Sequence, residues 1–98
     1  MIELRQTSVF SDWLSALKDV RGAAKIQVRI DRLLDGNPGD SKSVGGGVME
    51  MRIDYGPGYR VYFTQKRGVF VLLLCGGDKS SQSKDIARAH ELASELKD

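Results

Sequence analysis

Two stretches hold residues whose types and spacing could do chemistry: Gly56-Pro57-Gly58-Tyr59-Arg60-Val61-Tyr62-Phe63 and Gly76-Gly77-Asp78-Lys79-Ser80-Ser81-Gln82. Each sets a cation beside glycines that read as a tight turn, with an apolar strand between the two. A strand over Tyr59–Phe63 points alternate side chains to opposite faces, so Arg60 and Tyr62 share one face and Tyr59, Val61 and Phe63 the other. A guanidinium beside a phenol suits phosphate binding and stacking on a base. If Val48–Asp54 pairs antiparallel with Tyr59–Thr64, Arg52 lies nearly opposite Arg60. Like charges so placed cost stability unless an anion lies between them. Lys79, just past the following strand, enters from the same edge. Arg52, Arg60 and Lys79 converging on one groove is the arrangement a scissile phosphate needs, because negative charge accumulates there in the transition state. The plainer arrangement is a surface ladder in which Glu50 and Asp54 neutralise Arg52.

Other chemistries fit poorly. A phosphate loop needs glycine before its lysine, where this chain has Asp78, and a further glycine upstream that is missing. One histidine, His90, and one cysteine, Cys75, give no paired ligand spacing, so neither metal nor cofactor is expected. No strand–turn–helix elbow presents a serine nucleophile. Cys75 falls in an apolar run and reads as a core thiol, and His90 reads as an ordinary helical histidine.

With 98 residues, 41% apolar and 29% charged, the chain is expected to form one domain over 1–98 with a single core. Met1-Ile2-Glu3-Leu4-Arg5 does not read as a signal peptide, and the longest apolar run, Val69–Cys75, is too short to span a bilayer. A cytoplasmic protein without membrane contact is the expectation. The net charge of +2 says little about partners, but its distribution says more. Between Ser41 and Lys84 the cations are Lys42, Arg52, Arg60, Lys66, Arg67, Lys79 and Lys84, against Glu50, Asp54 and Asp78. That half is basic and glycine-rich, which suits an acidic polymer.

Positioning these residues requires strands and helices. Ile2–Arg5 reads as a short strand. A helix capped by Ser8 or Ser11 runs to Asp19, with Phe10, Trp13, Leu14 and Leu17 at helical spacing. Arg21-Gly22 reads as a break, and a second helix reaches Asp35 with Ala23, Ile26, Ile30, Leu33 and Leu34 inward and Lys25, Arg29 and Arg32 outward. Gly36-Asn37-Pro38-Gly39-Asp40 stops it. Three strands follow as a meander: Val48–Asp54, alternating Met49, Met51 and Ile53 against Glu50, Arg52 and Asp54; Tyr59–Thr64; and, after the Lys66-Arg67-Gly68 turn, an interior strand Val69–Cys75. A last helix runs from about Ser81, with Ile86, Ala89, Ala93 and Leu96 on one stripe. The fold class predicted is α+β: an N-terminal strand, an αα-hairpin, an antiparallel meander and a C-terminal helix.

From Trp13 to Ile86 the chain resembles RelE/HigB-type toxins of bacterial toxin–antitoxin modules, in the branch of addiction module killer proteins and phage-derived Gp49-like proteins. The resemblance is carried by Arg32-Leu33 with Gly36-Asn37-Pro38-Gly39-Asp40-Ser41-Lys42, by Val44-Gly45-Gly46-Gly47-Val48-Met49-Glu50-Met51-Arg52-Ile53, by Gly56–Phe63, and by Leu73-Leu74-Cys75-Gly76-Gly77-Asp78-Lys79-Ser80-Ser81-Gln82. It implies a fold of the microbial ribonuclease type and ribosome-dependent cleavage of mRNA, while some relatives instead poison DNA gyrase. It places Arg60 on the scissile phosphate, Arg52 on the preceding strand and Lys79 near the position that stabilises the transition state. It makes Lys42 a further candidate for RNA backbone contact; Lys66 and Arg67 are read beside it as RNA-binding candidates, and the aromatic face of Tyr62 as one on which a base could stack.

The implied reaction is a metal-free attack of the RNA 2′-OH on the adjacent phosphorus. Well-studied RelE-type toxins carry a C-terminal tyrosine or histidine near the site, and this chain has Lys84, Asp85 and Ile86 at that spacing. Glu50, Tyr62 and His90 are the acid–base candidates left, and a toxin fold that binds without cutting is the alternative. The implied partners are the ribosome with its mRNA and a small antitoxin, often helix-turn-helix. Operator DNA would be met only through the antitoxin complex.

Overall fold

The computed structural model describes residues 2–66 and 68–96. Strand β1 (Glu3–Gln6) leads into helices α1 (Ser8–Ala16) and α2 (Val20–Leu34). Four strands follow: β2 (Ser41–Ser43), β3 (Met49–Ile53), β4 (Tyr59–Lys66) and β5 (Phe70–Asp78). A single 3-10 turn over Lys79–Ser81 opens α3 (Gln82–Ser94). The strands form one mixed sheet in the order β1-β5-β4-β3-β2, with β1 parallel to β5 and the other pairs antiparallel. The α+β class holds. The meander gains β2, whose Ser-Lys-Ser sequence carries no apolar alternation, and β1 joins it as a parallel edge.

The starts of both helices differ from the expectation. The α1 cap is Thr7, not Ser8 or Ser11: its Oγ1 accepts the Phe10 N–H at 3.1 Å and donates to the Leu74 carbonyl at 2.5 Å, tying the helix start to β5. Asp19 does not end α1 but caps α2, accepting the Gly22 N–H at 2.9 Å. Arg21-Gly22 is therefore inside a helix rather than a break. Gly22 is needed because a Cβ there would lie 2.6 Å from the Tyr59 ring. The Gly22 N–H, and next the Tyr59 hydroxyl at 2.8 Å, hold the Asp19 carboxyl below its usual value. A depressed native value stabilises above the ordinary carboxylate range, and that stability is lost as pH falls through the native value. Asp19→Ala is expected to flatten the acid side of the stability profile, read as the urea midpoint from neutrality down to about pH 3.

The sheet is covered on both faces. Phe10, Ile26, Ile30 and Leu33 of α1 and α2 pack on Met51, Ile53, Val61 and Phe63, while α3 covers Tyr62, Leu72, Leu74 and Cys75. Burial pushes the Cys75 thiol up to about 12, as a core thiol requires. Leu74 is an extra residue between the pairs Tyr62–Cys75 and Phe63–Leu73, a bulge that turns Leu74 and Cys75 to the same face. The bulge also decides which way the next two glycines look. Gly76 lies under Trp13, and Gly77 lies under Ser81 and Asp85. Gly76-Gly77-Asp78 is thus strand, not the tight turn its composition suggests, and its glycines serve close packing. Among the described residues, no helix is long and apolar enough to cross a membrane.

Candidate functional site

The antiparallel register sets Arg52 directly across from Arg60. Their strands are joined by a turn in which Gly56 and Gly58 take φ of +58° and +79°, a backbone that other residues rarely adopt. Lys79 is fastened to that turn, its N–H donating to the Pro57 carbonyl at 3.4 Å. A Cβ on Gly58 would sit 3.4 Å from the Lys79 Cβ and 3.6 Å from Arg60 Nη1, ordinary contact distances, so the positive φ rather than crowding calls for glycine beside the two cations. The result is a cleft of about 470 Å³ lined by Arg52, Arg60 and Lys79, with Asp40, Asp54 and Pro57 on its walls. The three cations expected at one groove do share one.

Their environments differ. Arg52 is neutralised, but by Asp40 rather than by Glu50 or Asp54: Nη2 and Nε donate to Asp40 Oδ1 at 2.9 and 3.2 Å. Arg60 lies deep, its side chain 11% exposed and its Nε 4.0 Å from Glu50 Oε2. Lys79 is exposed and has no ion pair among the described residues. Counter-charges on either side are what make the facing arginines tolerable. The cleft floor thus offers one buried guanidinium, and its rim one free ammonium.

No family model matches the chain. A protein of Haemophilus influenzae, described there as uncharacterized, is 57% identical over 95 residues, which span 97% of this chain and 96% of that protein. The chain belongs to the same family as this Haemophilus influenzae protein.

Three other candidates are placed away from the cleft. Glu50, read as facing outward, is fully buried under α3. Its Oε2 accepts the Tyr62 hydroxyl at 3.0 Å and the Gln82 Nε2 at 2.8 Å, and Lys42 Nζ stands 3.9 Å from Oε1. A carboxylate so enclosed does not meet a ligand in the cleft directly. Tyr62 is fully buried, so its ring cannot stack on a base, and burial pushes its phenol far above the usual value. Both errors share a cause: the polar face of β3 and β4 is roofed by α3, which strand alternation cannot reveal. His90 is at the other end of the β2–β3 hairpin from Arg52. Its Nε2 lies 2.9 Å from the Val44 carbonyl and 3.1 Å from the Gly45 carbonyl, and the Nε2–H tautomer donates to both. It fastens α3 to the Gly45–Gly47 loop and does not reach the cleft.

The outlying cations also separate. Lys42 pairs across β2–β3 with Glu50 and does not line the cleft. Lys66 ends β4, six residues from Arg60 and so about 20 Å along the strand. Arg67 lies outside the described residues. Arg29, expected on the outer side of α2, instead turns inward. Its guanidinium donates to the carbonyls of Arg52 at 2.6 Å, Pro38 at 3.0 Å and Asp40 at 3.3 Å. This residue holds the end of β3 and the Pro38–Asp40 segment together. Nothing in helical spacing marks it, because its partners are carbonyls brought in from elsewhere in the chain.

Proposed function

We propose that this chain is the toxin of a toxin–antitoxin module, a ribosome-dependent endoribonuclease with the RelE-like microbial ribonuclease fold. The observation that carries the reading is the convergence of Arg52, Arg60 and Lys79 on one cleft. In the proposed reaction the RNA 2′-oxygen bonds to the adjacent phosphorus while the bond to the 5′-oxygen breaks. The products are a 2′,3′-cyclic phosphate and a 5′-hydroxyl. Arg60, fixed at the cleft floor, holds a non-bridging oxygen, and Arg52, directly across from it, faces the other. Lys79, exposed at the rim, stabilises the developing charge and gives its proton to the departing 5′-oxygen. No step is assigned to a metal. The proposed setting is the cytoplasm, with mRNA presented by the ribosome and restraint by a small helix-turn-helix antitoxin, through which operator DNA would be met.

A binding module that does not cut is the competing reading, and the removal of Glu50, Tyr62 and His90 from the cleft favours it. The test is 5′-end mapping of a reporter mRNA in a reconstituted translation extract, with and without ribosomes, using wild type, Arg60→Ala and the surface variant Lys79→Ala. The expected outcome is ribosome-dependent cuts, reduced about 100-fold or more by either substitution. Uncut message with wild type would sink the nuclease reading. DNA breaks on induction with intact message would point to gyrase instead.

A further inference from the structure

The proposed reaction needs an acceptor for the 2′-OH proton, and the three acid–base candidates read from the sequence do not reach the cleft. Two carboxylates do line it, Asp40 and Asp54. They are held very differently. The Asp40 backbone carbonyl accepts the Arg52 N–H at 2.9 Å and Arg29 Nη2 at 3.3 Å, so the residue is clamped from two elements. Its Oδ1 takes both Arg52 donors, at 2.9 and 3.2 Å. Oδ2 makes no hydrogen bond among the described residues, and the side chain is 57% exposed, open to a ligand in the cleft. Asp54 has no side-chain hydrogen bond among the described residues and nothing that fixes its direction.

Resting on the ribonuclease reading, we propose that Asp40 is the general base of this site. Arg52 then has two tasks: it orients the carboxylate through Oδ1 and faces the phosphate beside Arg60. Asp40 Oδ2 takes the 2′-OH proton as the O2′–phosphorus bond forms. The phosphorus–O5′ bond breaks, and an Nζ proton of Lys79 goes to O5′. Charge and protons balance without a co-reactant. A base must be held within hydrogen-bond reach of the proton it takes, and the double clamp from Arg29 and Arg52 supplies that fixity.

The rival role for Asp40 is that of a counter-ion, shielding Arg52 until a phosphate displaces it. The two roles predict opposite results. The experiment measures single-turnover cutting of a ribosome-bound mRNA, and separately the affinity for the same mRNA carrying one 2′-deoxynucleotide at the cut position. Asp40→Asn is expected to slow cutting about 100-fold or more while affinity for the deoxy message holds. Asp40→Glu, which restores a carboxylate one methylene further out, is expected to recover part of the rate. Melting curves of each variant check that the fold is kept. Asp40→Asn that cuts at the wild-type rate, or binds more tightly and cuts faster, overturns the assignment in favour of the counter-ion. A loss carried by Asp54→Asn instead, or a loss in Asp40→Asn that Asp40→Glu does not relieve at all, overturns it too. Wild type that never cuts removes the ribonuclease reading itself, whereas active wild type with active Asp40→Asn removes only the base.

Discussion

Arg60→Ala is expected to slow cutting about 100-fold or more and to lower stability at once, and adding Glu50→Gln is expected to restore the stability alone. The activity loss follows from removing the guanidinium at the cleft floor, worth about 100- to 1,000-fold for a preorganised charge contact. The stability loss follows from what remains behind. Glu50 is fully buried, and Arg60 Nε is 4.0 Å from its Oε2. Deleting one partner of a buried pair leaves an uncompensated charge, at about 3–5 kcal/mol when burial is complete. Here Arg60 keeps 11% exposure, and Glu50 retains donors in Tyr62 and Gln82. A smaller loss, about 2–3 kcal/mol, is therefore expected. For a domain of this size that is a fall in Tm of roughly 10–15 °C. Glu50→Gln removes the stranded charge while keeping an oxygen for Tyr62. A double-mutant cycle by thermal unfolding, with cutting assayed below every midpoint, separates the two effects. If Arg60→Ala melts like wild type, Glu50 does not depend on Arg60 and the pairing argument fails.

Gly76→Ala is expected to destabilise the fold strongly. A Cβ there would lie 2.8 Å from Trp13 Cδ2, and closer still to Cε3 and Cζ3. Phe10 and Tyr59 flank the half-buried ring, 5.8 and 6.3 Å away between ring centroids, and limit its retreat to the solvent side. The strand is held on its β4 side, where Gly76 stands opposite Val61, while its pairing with β1 ends at Leu73. Overpacking of this kind costs about 3 kcal/mol, or some 15 °C in Tm for a small domain. Trp13→Leu in the same chain is expected to return part of the loss by opening the space. Equal melting of Gly76→Ala and wild type would show that the α1–β5 contact is softer than the geometry implies.

The contrast between these two positions explains which features were legible in the sequence. Arg52 opposite Arg60 follows from strand alternation and a short turn, both local, so the register could be counted directly. Lys79 beside them follows from its place just past an apolar strand. Gly76 is different. Composition marks Gly76-Gly77 as a turn, yet neither takes a positive φ. Their reason is a tryptophan from α1 and a carboxylate from α3 lying against the backbone, contacts far apart in the chain. Gly22 was misread in the same way, since the Tyr59 ring that excludes a side chain there comes from a distant strand.

By itself the sequence determined the α+β class, the amphipathic helices, the pairing of β3 with β4 and the cationic make-up of the cleft, because each depends on periodicity or on neighbours a few residues apart. Tertiary structure alone decided which polar residues meet solvent. Packing α3 across the second face of the sheet buried Glu50 and Tyr62 and fastened His90 to a glycine loop. The return of Pro38–Asp40 along β3, clamped by Arg29, brought a carboxylate to Arg52. Alternation gives the face a side chain occupies, but burial depends on what else folds onto that face, and no local pattern encodes it.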